Sequence, residues 1–394
     1  IRNITYLREG LLVDALLEDG HWEEISLLLQ EQKSILGNIY IGKVRNIVKN
    51  IQAAFVEIEN GQLCYLPVED VKFPIYTRPK KQEHLMEGDE LLVQVSREAM
   101  KTKVPSVTTN INLTGKYLVM TTGNRLVGYS SRLGTKEKAR LRDCIEQWEL
   151  PPAGLIVRTN AGQASKEELE EEYERLCRTY HFITEQAVHR SVFSCVKKNR
   201  PSYLTSILGS RSESLKKILT DDWELYEQIR EFLMEEMPGD VGKLCMYEDR
   251  MVSLKALYRL EKGLSDALAT KVWLKSGAYL IIEPTEALTV IDVNTGKYTG
   301  GKDKQKTIQK INLEAAAEIA RQLRLRNLSG IILVDFVDME GKEAQEALLS
   351  FMRELLKKDP MKATAVDMTA LGLMELTRKK QKKTLAEQAK ECGI

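Results

Sequence analysis

The sequence predicts a multidomain protein of mixed class, α/β and β, in which a small all-β barrel precedes a layered α/β unit. Three observations predict it. The chain has 394 residues, enough for several folding units. Short β-rich runs crowd residues 35–107, and beyond residue 269 strands alternate with helices, the pattern of α/β layering. Its 43% hydrophobic and 29% charged residues are an ordinary globular composition. No apolar run of ~18 residues occurs, so no membrane span is expected, and the N terminus lacks a basic-then-apolar leader texture. Cys64, Cys144, Cys177, Cys195, Cys245 and Cys392 stand singly, without a C-x-x-C pair. That argues against a disulfide framework or a zinc site and for a reducing, cytoplasmic location. Net charge is only +1, so polyanion contact must come from local runs at 78–81, 197–200 and 378–383, each more often a solvated face.

Taken in order, residues 4–17 and 25–29 read as strands around a turn at Glu18-Asp19-Gly20. Strands follow at 39–48, 53–58, 64–67 and 91–95. Turns at Lys49-Asn50 and Asn60-Gly61 separate the first three, the second being a strong hairpin signal. Strands so closely spaced suggest a Greek-key barrel such as an OB fold. Next come a strand at 117–120, a helix at 136–148 stopped by Pro151-Pro152, and a strand at 155–157. An acidic helix at 165–180 carries Ser165 and Glu168 as a capping box, and helices are expected at 184–197, 222–236 and 258–269. In the last third, strands at 279–282 and 288–291 flank a turn at Pro284. A helix at 312–326 places Leu313, Ala316, Ala317, Ala320 and Leu323 on one face. The run 331–334 is wholly apolar, as in the centre of a sheet, and a helix at 341–357 closes the unit.

Asp292 ends one apolar run and Asp335 ends another. Residues at the ends of central strands gather at one edge of such a sheet, where sites form. Two carboxylates there repel unless a cation lies between them. Oxygen ligands without neighbouring His or Cys suit magnesium rather than zinc, and such an ion activates water for attack on a phosphodiester. The competing reading is that each Asp caps a turn. Asp338 adds a third carboxylate nearby. Phe55 and Tyr65, with Tyr40, Lys43 and Arg45 close by, are either core residues or a stacking surface for bases. Gly296, Gly300 and Gly301 resemble a phosphate loop only superficially, since no G-x-G-x-x-G or Walker pattern is present. Glu168, Glu171 and Glu172 read as a solvated face.

Several stretches closely resemble the ribonuclease E/G family. They are Asp292-Val293-Asn294, the run 312–326, Val334-Asp335-Phe336-Val337-Asp338-Met339 and Gly372-Leu373-Met374-Glu375-Leu376-Thr377-Arg378. Upstream, Asn38-Ile39-Tyr40-Ile41-Gly42-Lys43, Ala53-Ala54-Phe55-Val56 and Tyr65-Leu66-Pro67 look like its OB-fold RNA-binding domain. Ile156-Val157-Arg158-Thr159 looks like its 5′-end sensor. The resemblance is ordered and covers nearly the whole chain.

It implies an OB-fold barrel (35–107) inserted in a ribonuclease H-like domain (1–34 and 204–268). A sensor region (108–203) lies between, and a deoxyribonuclease I-like catalytic domain (269–394) follows. By matched position, Asp292 and Asp335 are the magnesium ligands, with manganese as the alternative ion, and Asn294 contacts the scissile phosphate. Arg158 and Thr159, with main-chain groups of Gly115 and Val119, form a 5′-monophosphate pocket. Phe55, Tyr65, Arg97 and Lys103 guide single-stranded RNA; Tyr65 stands for a usual Phe and Arg97 for a usual Lys. The implied activity is hydrolysis of single-stranded, A/U-rich RNA in ribosomal RNA maturation and messenger RNA turnover. Familiar members share a zinc between subunits through a C-P-x-C pair. This sequence has one cysteine, Cys392, at that point, so no structural zinc is expected and a homodimer is an open alternative. The long scaffold tail of ribonuclease E is not in the sequence, which resembles the short ribonuclease G-like forms. The 298–307 stretch is richer in Lys than in familiar members. Two rival readings are a non-catalytic RNA-binding or ribosome-assembly protein, and a phosphoesterase acting on DNA or small phosphates.

Overall fold

The structure, a computed structural model, describes residues 1–30, 34–80, 82, 84–99, 103–210, 215–296 and 304–394. The chain forms two units, one of Ile1–Gln32, Leu215–Arg230 and Gly242–Ile394, the other of Lys33–Ser214 and Glu231–Val241.

The second unit holds a closed five-stranded barrel. Ile39–Val48 pairs with Ala53–Glu57, then Leu63–Pro67, Ser106–Thr108 and Glu90–Arg97 follow, and the last returns to Ile39–Val48. A register shift between Val44 and Asn46 bends the first strand. Its first half thereby pairs with Glu90–Arg97 and its second half with Ala53–Glu57, as closure requires. Asn60 and Gly61 both take positive φ, 60° and 72°, the conformation that a tight hairpin demands and that Asn-Gly supplies cheaply. Tyr40, Val44, Ala54, Val56, Cys64, Leu66 and Val93 fill the barrel.

A second sheet in this unit runs Val127–Tyr129, Gly154–Val157, Leu118–Thr121, Asn112–Thr114. Helices Thr135–Ile145 and Lys166–His181 share its core. Ser165 Oγ accepts from the Glu168 N–H at 3.2 Å and Glu168 Oε2 from the Ser165 N–H at 2.9 Å, the expected capping box. The expected helix at 184–197 is not there. After a π turn at Phe182–Gln186 and a 3-10 turn at Ala187–His189, Cys195–Lys197 is a strand on the barrel's first strand. Pairing to an open strand edge overrides local propensity here.

The first unit has two sheets. One is ordered Leu244–Met246, Ile218–Thr220, Arg2–Arg8, Leu11–Glu18, His21–Leu29. The single strand expected over 4–17 is a hairpin, broken at Gly10 with φ 73°. The other sheet is ordered Lys271–Trp273, Tyr279–Pro284, Leu288–Asn294, Gly330–Asp335, Leu373–Arg378, Ala363–Met368. Helices Lys304–Leu325 and Lys342–Leu356 join its core from one side. The first of these begins well before residue 312. Its buried stripe is Ile308, Ile311, Asn312, Ala315, Ala316, Ile319, Ala320 and Leu323, the i, i+3, i+4 spacing of a helix on a sheet; Ala317, expected inside, faces solvent. The apolar run 331–334 is central in strand order yet buried on one face only, with Ile331 52% exposed. Among the described residues helices cover a single face of this sheet and leave the other open.

Candidate active site

The site begins with strand direction. Leu288–Asn294 and Gly330–Asp335 run parallel, whereas every other neighbouring pair in that sheet is antiparallel. A parallel pair needs a crossover, and helix Lys304–Leu325 lies between the two strands in sequence. Parallel direction brings both C-terminal ends to one edge. Asp292 therefore lies directly opposite Asp335 in register. Alternation sends Ile291, Val293, Ile332 and Val334 into the helix-covered core, so Asp292, Asn294 and Asp335 stand together on the open face.

Asn294 Nδ2 donates to Asp292 Oδ2 at 2.6 Å, fixing one carboxylate oxygen. Partial burial, then the negative charges of Asp292 and Asp338, push the Asp335 carboxyl above the usual aspartate range. Negative charge is thus concentrated here. Asp338 lies in the loop after Asp335, and buried Asn312 braces that loop: its Nδ2 donates to Val337 O at 2.8 Å and its Oδ1 accepts from the Val337 N–H at 3.1 Å. Sequence reasoning assigned Asn312 no part in the site. The available signal was an amide at a position whose helical neighbours, 308, 311 and 315, are all apolar.

The donor set fits a hard divalent cation. It is two carboxylates and an amide, all offering oxygen. Among the described residues no group of three or more His, Cys, Asp or Glu side chains is placed to hold a metal.

On the barrel, Phe55 lies opposite Tyr65, Tyr65 opposite Ser106 and Ser106 opposite Arg97, one row across four strands. Phe55 and Tyr65 are half-buried while Ala54, Val56, Cys64 and Leu66 are fully buried. Both rings thus point outward, meeting edge to face with centroids 6.3 Å apart. The core reading of these aromatics is thereby excluded, whereas Tyr40 is buried in the barrel. Lys43 pairs with Glu90 at 3.0 Å and Arg45 with Glu57. Arg97 and Lys103 are exposed.

In the second sheet, Arg158 follows Gly154–Val157, and its Nη1 donates to Gly115 O at 2.5 Å. Thr159 Oγ1 lies 2.9 Å from Ser130 Oγ. The Gly115 N–H is already donated to Leu118 O at 2.8 Å, and Val119 sits opposite Ile156. Behind this loop lies a feature that the sequence reading missed. Glu172, expected in a solvated face, is 4% exposed. Its carboxylate accepts the N–H groups of Lys116, Tyr117 and Leu118 at 2.9, 2.8 and 2.7 Å. A Cβ on Gly115 would come within 2.3 Å of Glu172 Oε1, so only glycine admits this nest. Burial raises the Glu172 pKa, and the three amides oppose that.

One other reading changes. Arg378, part of a basic run, is buried and bonded to Asp359 at 2.7 and 3.1 Å; it serves the fold rather than a polyanion surface. Gly300 and Gly301 lie outside the described residues, as does most of 298–307. No helix among the described residues is long and apolar enough to cross a membrane.

Comparison with known proteins gives the family. The Ribonuclease E/G family matches residues 112–381. Ribonuclease G of Haemophilus influenzae is 35% identical over 385 residues, covering 94% of this chain and 78% of that protein. Ribonuclease G of Escherichia coli K12 is 33% identical over 393 residues, with the same shares of 94% and 78%. Ribonuclease E of Synechocystis is 35% identical over 372 residues, 91% of this chain and 55% of that longer protein. With a family match across more than half of its length and relatives this similar along nearly all of it, the chain belongs to the ribonuclease E/G family of endoribonucleases.

Proposed function

We propose that this chain is a magnesium-dependent endoribonuclease that hydrolyses single-stranded, A/U-rich RNA, leaving a 5′-phosphate and a 3′-hydroxyl, in ribosomal RNA maturation and messenger RNA turnover. The observation that carries the reading is the registered pair Asp292 and Asp335 on the open face of the sheet. Asp292 and Asp335 would hold the divalent ion, with manganese able to replace magnesium. When bound, such an ion supplies a Lewis acid and a water of lowered pKa. Asn294, oriented by its bond to Asp292, would contact the scissile phosphate with its remaining N–H. Phe55 and Tyr65 offer faces on which bases stack irrespective of sequence, with Arg97 and Lys103 as phosphate partners.

Arg158 and Thr159, beside the turn at 115–118 that Glu172 braces, take a 5′-monophosphate. A guanidinium suits that dianion. The ribonuclease H-like and deoxyribonuclease I-like descriptions of the two parts of the first unit, and a cytoplasmic site of action, belong to the same proposal. Six unpaired cysteines favour a reducing compartment. The test is cleavage of a short end-labelled RNA with and without magnesium. Asp292→Asn should abolish cleavage while RNA affinity stays within about tenfold, roughly 1.4 kcal/mol. Cleavage by that variant at the wild-type rate overturns the site, and binding without cleavage by the wild-type protein points to a non-catalytic RNA-binding protein instead.

A further inference from the structure

The open face of the catalytic sheet extends beyond the acid pair. Asp292 lies opposite Ile281 and Ile281 opposite Lys271; Asn294 lies opposite Tyr279 and Tyr279 opposite Trp273. Register partners share a face, so Lys271, Trp273 and Tyr279 stand on the same side as the acids. Two strand spacings, about 10 Å, separate Lys271 from Asp292 and Trp273 from Asn294, and one separates Tyr279 from Asn294. The opposite parity, Val272, Leu280 and Val293, packs under the helices.

Three features of this corner point to a ligand. Trp273 is 63% exposed, which leaves a large apolar ring in water beside a charged site. Its ring meets that of Tyr279 edge-on, with centroids 5.2 Å apart and planes at 62°, so Tyr279 holds its orientation. Lys271 Nζ sits 4.0 Å from the Trp273 centroid and 3.6 Å from that of Tyr279. Among the described residues it pairs with no carboxylate. Edge strands do carry lysines as protection against mispairing, but that purpose gives no reason for an exposed tryptophan on the same three-residue strand.

We propose that Trp273 and Lys271 form a nucleobase-stacking subsite for the substrate strand, next to the acid pair. A base close to the cut bond stacks on the exposed ring, and the Lys271 ammonium faces a neighbouring phosphate. Tryptophan offers the largest π-face for such stacking. The cation also offsets the repulsion that the carboxylates at 292, 335 and 338 exert on a phosphate backbone. This proposal rests on the endoribonuclease reading above.

The test uses a set of short 5′-monophosphorylated RNAs cut at one site, each with a single abasic position stepped away from that site. Trp273→Ala should lower kcat/KM on the intact RNA about tenfold, in the range seen when one stacked base is lost. Trp273→Phe should keep most of it, and Lys271→Gln should make the fall of kcat/KM with rising salt shallower, as loss of one phosphate contact does. One abasic position should cost the wild-type enzyme a similar factor and cost Trp273→Ala nothing further. Equal abasic penalties at every position in both proteins, or full kcat/KM in Trp273→Ala, overturn the subsite. Thermal melting checks that the variants fold. If the wild-type protein fails to cut at all, the nuclease reading falls separately, and affinity of Trp273→Ala for the intact RNA decides the subsite: about tenfold weaker sustains it, unchanged removes it.

Discussion

Replacing Asp335 with Asn should act on catalysis and on stability in opposite directions. The two acids face each other across parallel strands, about 4.8 Å apart at the usual spacing. Unit charges at about 5 Å repel by about 0.8 kcal/mol in bulk water and about 3 kcal/mol at an effective dielectric constant of about 20. Asp335 is solvent-exposed, so the low end applies, about 0.5–1 kcal/mol after screening. No hydrogen bond of the Asp335 carboxylate is lost among the described residues. Metal-free Asp335→Asn should therefore be more stable than wild type near pH 7 by that amount, about 2 °C in melting temperature.

The pH dependence has a definite sign. Partial burial, with Asp292 and Asp338, raises the Asp335 pKa in the folded state. The folded protein then holds the proton at pH values where the unfolded chain has released it. The resulting stabilisation is complete below the ordinary aspartate value of about 3.9 and is lost as pH rises through the raised folded value. The advantage of Asp335→Asn should accordingly vanish in acid and grow across that window. Magnesium should raise the melting temperature of wild type and not of the variant, and cleavage should fall by about a thousandfold, roughly 4 kcal/mol of transition-state stabilisation. Chemical denaturation in chelator across pH, with a cleavage assay, reads all of this. A variant less stable than wild type at neutral pH, or one that still cuts, refutes the reasoning.

Arg158→Ala should erase the preference for 5′-monophosphorylated over 5′-hydroxylated RNA, a contrast of about 10–100-fold for a charge-assisted contact; matched substrates differing only at the 5′ end measure it, and an unchanged ratio removes the sensor. Phe55→Ala should weaken single-stranded RNA binding about tenfold, the scale of one stacked base, with no change in the melting temperature beyond a few degrees; titration of a labelled oligonucleotide decides. Gly115→Ala should destabilise the second unit by about 3 kcal/mol. Its Cβ would drive the Glu172 carboxylate off three buried N–H groups, and each one left unsatisfied costs about 1–3 kcal/mol; denaturant unfolding followed by hydrogen exchange at 116–118 would show an intact nest if the argument is wrong.

What was legible in the sequence was local or periodic. Asn60-Gly61 announced a hairpin because its two positive φ values are chemically selective, and Ser165 with Glu168 announced a helix start for an equally local reason. Asp292 and Asp335 stood out because each closes an apolar run. What the sequence hid depended on distant partners. Three-residue strands such as Ile218–Thr220 and Leu244–Met246 are too short to show a period, and they exist because neighbouring strands accept their hydrogen bonds. Glu172 looked like its solvated neighbour Glu171, and only the turn at 116–118, more than fifty residues away, makes it a buried anion. The 331–334 run is wholly apolar and central yet exposes Ile331, since apolar composition does not say how many layers cover a sheet.

The alternation that builds the core also protects the site. A one-residue slip of Leu288–Asn294 would turn Asp292 and Asn294 toward the helices and bring Ile291 and Val293 out into water. Each aliphatic side chain lost from the core costs about 1.5–3 kcal/mol, and a carboxylate buried without a partner costs several kcal/mol more. The bridge between Asn312 and Val337 ties the loop after Asp335 to the helix that sets the same register. Opposition of the two acids therefore does not depend on a bound ion pulling them together. It is held by core packing, and a metal-free protein should keep Asp292 and Asp335 facing each other at the cost of their mutual repulsion.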